Sequence, residues 1–290
     1  MLKRNKEKPA GPPPIGGVYA AAITPRRDRE IEVDLGAMLE LVDFIGGHPV
    51  QGIQVFGATG EFVHFTVEER SRYVSLLAKR SRVPVMANVS HSTLDGAIMM
   101  AEEAAGAGIA AVTVAPPYYY RYPAEAAEAF CLEFGRHISR WVRVYLYDLP
   151  AFGEPLSVES LERLLGTGMF AGLVDSSGDW PAVERLIGLG SASVMTGEDR
   201  LFAQARRAGA AGGVSDVACA IPELMLALER AVMGGGPVEA LEARVGEFTG
   251  RAAESPVPVG VRAALKARGV KAGPHASPLG EELSGRLARF

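Results

Sequence analysis

Residues 83–115 read VPVMANVSHSTLDGAIMMAEEAAGAGIAAVTVA. Two β-rich apolar runs, at residues 83–88 and 111–115, enclose an amphipathic stretch with helical spacing at residues 93–105. Both runs are almost continuously apolar, which is typical of strands buried on both faces of a parallel sheet. The stretch therefore predicts one strand–helix–strand unit.

The same alternation continues in both directions along the chain. Further β-rich runs occupy residues 18–24, 52–56, 142–147, 169–174, 193–196 and 212–217, and helical stretches occupy residues 35–45, 70–80, 124–138, 157–165, 180–189 and 199–208. Eight strands, each followed by a helix, predict an α/β fold in which the parallel sheet closes into a (β/α)₈ TIM barrel. A doubly wound open sheet is the alternative, but no glycine-rich dinucleotide fingerprint follows the first run.

The chain is predicted to have three parts. Residues 16–235 form the barrel, and residues 236–290 form a C-terminal helical extension packed on it. Residues 1–15 carry several basic residues and then three prolines, which predicts a disordered tail. The helical patterns after the last strand are residues 222–232, 238–249, 260–267 and 281–289.

Composition excludes several classes of protein. The net charge of −4 comes without a basic stripe, which argues against nucleic acid or an anionic membrane as the main partner. Apolar stretches fall short of the roughly 18 residues that span a bilayer, and the basic start lacks the apolar core of a signal peptide. Cys131 and Cys219 are far apart, so reduced core thiols in a cytoplasmic protein are expected.

Polar and small residues follow the predicted strands at their carboxyl ends, where barrels of this kind build their sites. The GATGE loop at residues 57–61 offers backbone N–H groups and the Thr59 hydroxyl, which suit a small carboxylate. Its glycines also fit a plain tight turn. The acids at other strand ends could gather around a divalent cation, but helix capping explains them equally well and no metal site is predicted. These acids are Asp148, Asp175, Glu198 and Asp216.

A series of motifs runs through the predicted strand ends: VYAAAITP at residues 18–25, GATGE at 57–61, APPYYY at 115–120, YDLP at 147–150, FAGLVDSSGD at 170–179, TGED at 196–199 and GGVS at 212–215. In number and order they resemble the motifs of the dihydrodipicolinate synthase / N-acetylneuraminate lyase family. The resemblance covers nearly the whole chain from Gly17.

The resemblance implies an enzyme that cleaves or forms carbon–carbon bonds, commonly with pyruvate or a related 2-oxo acid, through a lysine imine. It implies that Tyr147 relays protons with Thr59 and with Tyr119, the last donated across a subunit contact. The Tyr118–Tyr120 run also fits simple packing or an interface. A homodimer or homotetramer without a cofactor is expected. Implied substrate contacts are Ala58, Thr59, Gly60, Asp175 and Val214.

The chain departs from the family pattern at three positions. Val174 stands where GLVDSSG aligns with the lysine of GLKDSSG, and valine has no nucleophile. Ala58 lacks the first hydroxyl of the GATGE loop, and Phe152 lies near where an arginine for a second carboxylate is usual. The lysines of the chain are Lys3, Lys6, Lys8, Lys79, Lys266 and Lys271, none predicted at a strand end. Imine catalysis is therefore not expected.

Two functions follow from these observations. The first is a carbon–carbon lyase of the aldolase type that acts on a small 2-oxo acid or hydroxy acid without the usual imine. The alternative is a catalytically inactive barrel that binds a small acid, regulates a partner, or serves as a structural subunit beside an active relative.

Overall fold

The computed structural model describes residues 15–27, 32–256, 258–276 and 279. Its strands are β1 (Gly17–Ala21), β2 (Gly52–Val55), β3 (Val85–Asn88), β4 (Ala111–Val114), β5 (Val144–Asp148), β6 (Gly172–Asp175), β7 (Ser193–Thr196) and β8 (Gly212–Ser215). Each strand pairs in parallel with the next one in chain order, and β8 pairs with β1. The predicted (β/α)₈ barrel is therefore confirmed, and the open sheet is excluded.

Helices surround the barrel in the predicted order. They are α1 (Leu35–Gly46), α2 (Val67–Arg80), α3 (Leu94–Gly106), α4 (Ala124–Ile138), α5 (Val158–Gly166), α6 (Trp180–Gly188), α7 (Phe202–Arg207), α8 (Asp216–Ala220), α9 (Pro222–Gly234), α10 (Val238–Ala252) and α11 (Val259–Ala267). Local sequence sets where many of them begin. Thr66 and Glu69 form a complete capping box at α2, and Asp34 accepts from the N–H of Ala37 at α1.

The end of β8 differs from the prediction. The β-branched pattern extended this strand to residue 217, whereas β8 ends at Ser215 and α8 begins at Asp216. The reason is a local cap, because the Ser215 hydroxyl accepts a hydrogen bond from the N–H of Ala218 at 2.9 Å. This cap turns Asp216 into the first residue of a helix. The first strand is also shorter than predicted and ends at Ala21.

Ile15 closes the bottom of the barrel. Its N–H donates to the Tyr145 hydroxyl at 3.1 Å, and its carbonyl accepts from the Ser193 hydroxyl at 2.8 Å. Its apolar side chain is buried in the core, although the sequence placed this residue at the end of the predicted tail. The rest of that tail and the helix predicted at residues 281–289 lie outside the described residues.

The C-terminal helices pack on the barrel through a buried arginine. Arg262 of α11 is fully buried and donates to the carbonyls of Thr24 (2.9 Å) and Ala272 and to the carboxylate of Glu61. Glu61 belongs to the loop after β2, so this ion pair joins α11 to the carboxyl ends of the strands. Among the described helices, none is long and apolar enough to cross a membrane.

Replacing Arg262 with alanine is expected to lower the free energy of unfolding by about 3–5 kcal/mol, because it leaves the Glu61 carboxylate buried without its partner. Urea denaturation measures the change. Arg251→Ala is the matched control, since it removes an exposed ion pair with Glu247 at 2.8 Å and should cost less than about 1 kcal/mol. Equal losses in the two variants would contradict the role assigned to Arg262.

Candidate active site at the carboxyl ends of the strands

Three side chains from neighbouring strands lie next to one another in the barrel lumen. Tyr147, Val174 and Met195 are register partners on β5, β6 and β7, so they share one face of the sheet. That face is the lumen, because the Tyr147 hydroxyl crosses to the loop after β2 and accepts from the N–H of Ala58 at 3.4 Å. Asp175 follows Val174 and points away from the lumen. A fully buried valine thus lies beside Tyr147.

The Tyr147 hydroxyl is held in its neutral form. Burial raises the pKa of this phenol well above its ordinary value; the hydrogen bond from the Ala58 N–H lowers it by less than that, and the nearby Asp216 carboxylate raises it slightly. A phenol with so high a pKa donates a hydrogen bond and retains its proton. The structure thus provides a neutral hydrogen-bond donor in the lumen and not a base.

The loop after β2 has a backbone that few sequences could adopt. Phe56 and Glu61 have positive φ values of 53° and 52°, which are uncommon for residues with side chains. A Cβ on Gly60 would lie 2.9 Å from the Cα of Phe56, so glycine is required there. Such strained loops cluster at functional sites. The loop carries Thr59, whose hydroxyl donates to the carboxylate of Asp216.

A group of acidic residues lies on the same rim, at the ends of β7 and β8. Burial, and then the charge of Asp216, raises the pKa of Asp199 to about 7, although the N–H of Val217 donates to it at 3.0 Å. Burial and the charge of Glu198 raise the pKa of Asp216 to about 6, against the lowering effect of the Thr59 hydrogen bond. Both carboxyls therefore exchange protons within the range where enzymes work.

A cavity of about 260 Å³ opens beside this acidic group. It lies between the ends of β7 and β8 and the helices α10 and α11. Its walls are Gly197, Glu198, Asp199, Arg200, Asp216, Phe248, Thr249, Ala252, Ala253, Pro258, Gly260 and Val261. Glu198 and Asp216, which the sequence offered only as possible cation ligands, line it, and Thr59 reaches it through its hydrogen bond to Asp216.

Two predicted site residues are not brought to the lumen. Tyr119 is 82% exposed, has a φ of 83° and packs edge-to-face against Tyr120 at 4.9 Å between ring centroids. Asp175 instead accepts hydrogen bonds from the N–H and hydroxyl of Ser177, at 3.1 and 2.8 Å, and caps its own loop. Val214, by contrast, is buried and pairs in register with Tyr19 of β1.

The other acids considered for a cation lie apart from the Asp216 group. Asp148 and Asp175 are register neighbours on the outer face, and burial together with the Asp175 charge raises the pKa of Asp148 to about 7. Within the described part of the chain, no group of three or more histidine, cysteine, aspartate or glutamate side chains is arranged to hold a metal ion.

Sequence reasoning missed Gln54. It is fully buried on β2, and its Nε2 donates a long hydrogen bond of 3.4 Å to the Thr113 hydroxyl. Its Oε1 has no hydrogen-bond partner. A Cβ added to Gly57 would clash with this oxygen and would lie 3.5 Å from the Tyr147 hydroxyl, so Gln54 and Tyr147 meet beneath the loop. A lone amide within the apolar run GIQV was the available signal, because buried polar groups normally find partners.

The fold and these motifs agree with known proteins. The model of the Dihydrodipicolinate synthetase family matches residues 14–285. The chain belongs to this family. A DapA-like lyase of Halobacterium salinarum is 32% identical over 281 residues, 93% of this chain and 91% of the relative. N-acetylneuraminate lyase of Rhizobium meliloti is 27% identical over 271 residues, 91% and 89% of the two chains.

Solved structures of the dihydrodipicolinate synthetase family share this fold. Dihydrodipicolinate synthase from Aquifex aeolicus superposes with a TM-score of 0.86 at 22% identity, covering 94% of this chain and 95% of that one. N-acetylneuraminate lyase from Mycoplasma synoviae gives 0.84 at 21% identity, covering 95% and 96%. At these identities the likeness establishes the barrel and its C-terminal helices but not the reaction.

The raised pKa of Asp199 predicts how stability depends on pH. Because its folded-state pKa of about 7 lies above the unfolded value, the contribution of this group to stability is present below about pH 4 and is lost as pH rises through 7. In Asp199→Asn this loss is absent. Urea titrations should therefore show wild-type unfolding free energy falling relative to the variant by on the order of 2 kcal/mol between pH 4 and pH 8.

Asp95→Asn supplies the control, since it makes the same chemical change at an exposed position in the first turn of α3. Its unfolding free energy should run parallel to wild type across the pH range. If Asp199→Asn also runs parallel, the Asp199 carboxyl does not titrate in the range stated.

Proposed function

We propose that this member of the dihydrodipicolinate synthetase family is a lyase of the aldolase type. It makes or breaks a carbon–carbon bond in a small 2-oxo acid or a related hydroxy acid, and it does so without a lysine imine. The observation that carries the proposal is the pairing of a buried valine, Val174, with Tyr147 in the lumen.

An imine needs a neutral amine within reach of the substrate carbonyl. Val174 offers none, and no lysine of the described ranges belongs to a barrel strand. Lys79 lies in the last turn of α2, Lys266 lies in the last turn of α11, and Lys271 is exposed at 3.6 Å from Glu40. Lys3, Lys6 and Lys8 fall outside the described residues.

The groups that remain support binding of a compact acid. The backbone amides of Ala58, Thr59 and Gly60 suit a carboxylate, as neighbouring N–H groups do in anion-binding loops. Tyr147 supplies a neutral hydroxyl for a carbonyl or enolate oxygen. The adjoining cavity of about 260 Å³ is small beside typical drug-sized pockets, which favours a small substrate.

The remaining elements of the proposal concern assembly and location. We propose a homodimer or homotetramer in the cytoplasm, in which the exposed Tyr119 reaches the site of a neighbouring copy. The alternative function, a barrel that binds a small acid without turnover, is favoured by the same valine. Measurement of turnover separates the two.

Treatment with pyruvate and borohydride tests the absence of an imine. Wild type is expected to gain no covalent mass. Val174→Lys should gain one reduced pyruvate adduct, because burial in the lumen lowers the pKa of the new amine and leaves it neutral. Intact-mass spectrometry measures both results. Val174→Met is the matched control, with a long side chain and no amine, and thermal melting confirms that both variants fold.

A stable adduct on the wild-type protein would overturn the proposal. Folded Val174→Lys that gains no adduct would mean that the lumen does not admit a 2-oxo acid. Release of an aldehyde from 4-hydroxy-2-oxo acids by wild type supports the lyase. Ligand-induced stabilisation by such acids with no product formed supports the binding barrel instead.

A further inference from the structure

Asp216 occupies the boundary between the cavity and the strand ends. It is the first residue of α8, directly after β8, and its side chain lines the cavity. Its Oδ1 accepts from the Thr59 hydroxyl of the loop after β2. It is only partly exposed, so it borders the cavity on one side and packs against protein on the other.

A second, independent feature points to a ligand at this place. Gln54 lies beneath the same loop with its Oε1 buried and without a partner, beside the Tyr147 hydroxyl. A buried acceptor left unpaired costs about 1–3 kcal/mol, so its persistence is explained by a polar group that arrives with the substrate. Gln54 and Tyr147 thus meet in the lumen beneath the loop that carries Thr59, and the Thr59 hydroxyl donates to Asp216.

We infer that Asp216 is the catalytic base and acid that moves the substrate proton in the proposed lyase reaction, with the adjoining cavity receiving the half of the substrate that leaves as the aldehyde. This inference rests on the proposed function. It assigns the proton transfer to a residue at the junction of β8 and α8. This residue lies outside the sequence motifs of β2, β5 and β6.

The step balances for a 4-hydroxy-2-oxo acid. The Asp216 carboxylate takes the proton of the 4-hydroxyl, and that oxygen's electron pair forms the aldehyde carbonyl. The bond between carbons 3 and 4 breaks, and its electrons form the enolate of the 2-oxo acid, whose oxygen accepts from Tyr147. The proton on Asp216 then passes to carbon 3. The products are an aldehyde and a 2-oxo acid, and the carboxylate is restored.

Tyr147 cannot replace Asp216 as the base, because its high pKa keeps it protonated at neutral pH. Asp216, with its pKa raised to about 6 by burial and by Glu198, is ionised above that pH and still basic enough to accept a proton. The titratable and charged groups around it are Glu198, Asp199, Arg200, Tyr147 and Cys219. Arg200 donates from Nε to Thr249 of α10 at 2.8 Å.

Steady-state cleavage of a series of 4-hydroxy-2-oxo acids by the full chain tests the inference. Asp216→Asn should lower kcat by about 100-fold or more with KM changed less than about threefold, because removal of a general base slows chemistry rather than binding. In wild type, kcat/KM should rise with pH near pH 6 as Asp216 ionises, and in Asp216→Asn this rise should be absent. Asparagine can still accept from Thr59, so the fold is retained, and thermal melting checks this.

Two further variants give the assignment its controls. Glu198→Gln removes the charge that raises the pKa of Asp216, so the rise of kcat/KM should move to lower pH. Asp95→Asn, exposed on α3, should leave rate and profile unchanged. Wild type that cleaves none of the acids overturns the proposed function and this inference with it. If wild type is active and the folded Asp216→Asn variant has the same kcat and pH profile, this inference alone is overturned.

Discussion

Closure of the sheet between β1 and β8 is the contact on which the rest of the molecule depends. The N–H of Gly17 donates to the carbonyl of Ala211 at 2.8 Å, and Gly212 lies so close to Gly17 that an added Cβ would clash with its backbone. Only glycine permits this approach. Closure leaves no free edge and brings the carboxyl ends of all eight strands to one rim. Loops far apart in sequence can therefore share one site.

The alternation of side chains along each strand then divides this rim into two environments. Residues one position apart on β6, Val174 and Asp175, face the lumen and the outer layer respectively. A charged pair, Asp148 and Asp175, is thus kept out of the lumen although both residues belong to site motifs. The lumen layer itself is apolar at β6 and polar at β2 and β5. Its chemistry is restricted to hydroxyl, amide and backbone groups.

The carboxyl groups of the site belong to the neighbouring strand ends, those of β7 and β8. The acids at the ends of β7 and β8 lie against α10 and α11, which form the far wall of the cavity. Arg262 holds α11 to Glu61 in the loop after β2, and Thr59 of that loop binds Asp216. The C-terminal helices therefore position both the loop and the wall of the cavity. In the proposed reaction, proton transfer therefore takes place at the end of β8 and not at β6.

The sequence by itself determined the barrel, the order of its elements and the family. Near-continuous apolar runs, such as GLV on β6, predict strands because any compact fold must bury them. Capping residues, such as Thr66, predict where helices begin because they satisfy local backbone N–H groups. The same patterns located the GATGE loop and placed Val174 at the position of the family's lysine, whereas its place beside Tyr147 came from the register of β5 and β6. Boundaries failed where a side-chain cap overruled β propensity, as at Ser215.

Only the tertiary structure decided which strand ends meet. Thr59 and Asp216 lie 157 residues apart and come together because a single strand, β1, separates β2 from β8 in the closed sheet. The raised pKa values of Asp199 and Asp216 depend on burial, and then on the charge of Asp216 for the first and of Glu198 for the second. No local pattern encodes that burial. The unpaired oxygen of Gln54 and the exposure of Tyr119 likewise depend on neighbours brought together by closure of the barrel.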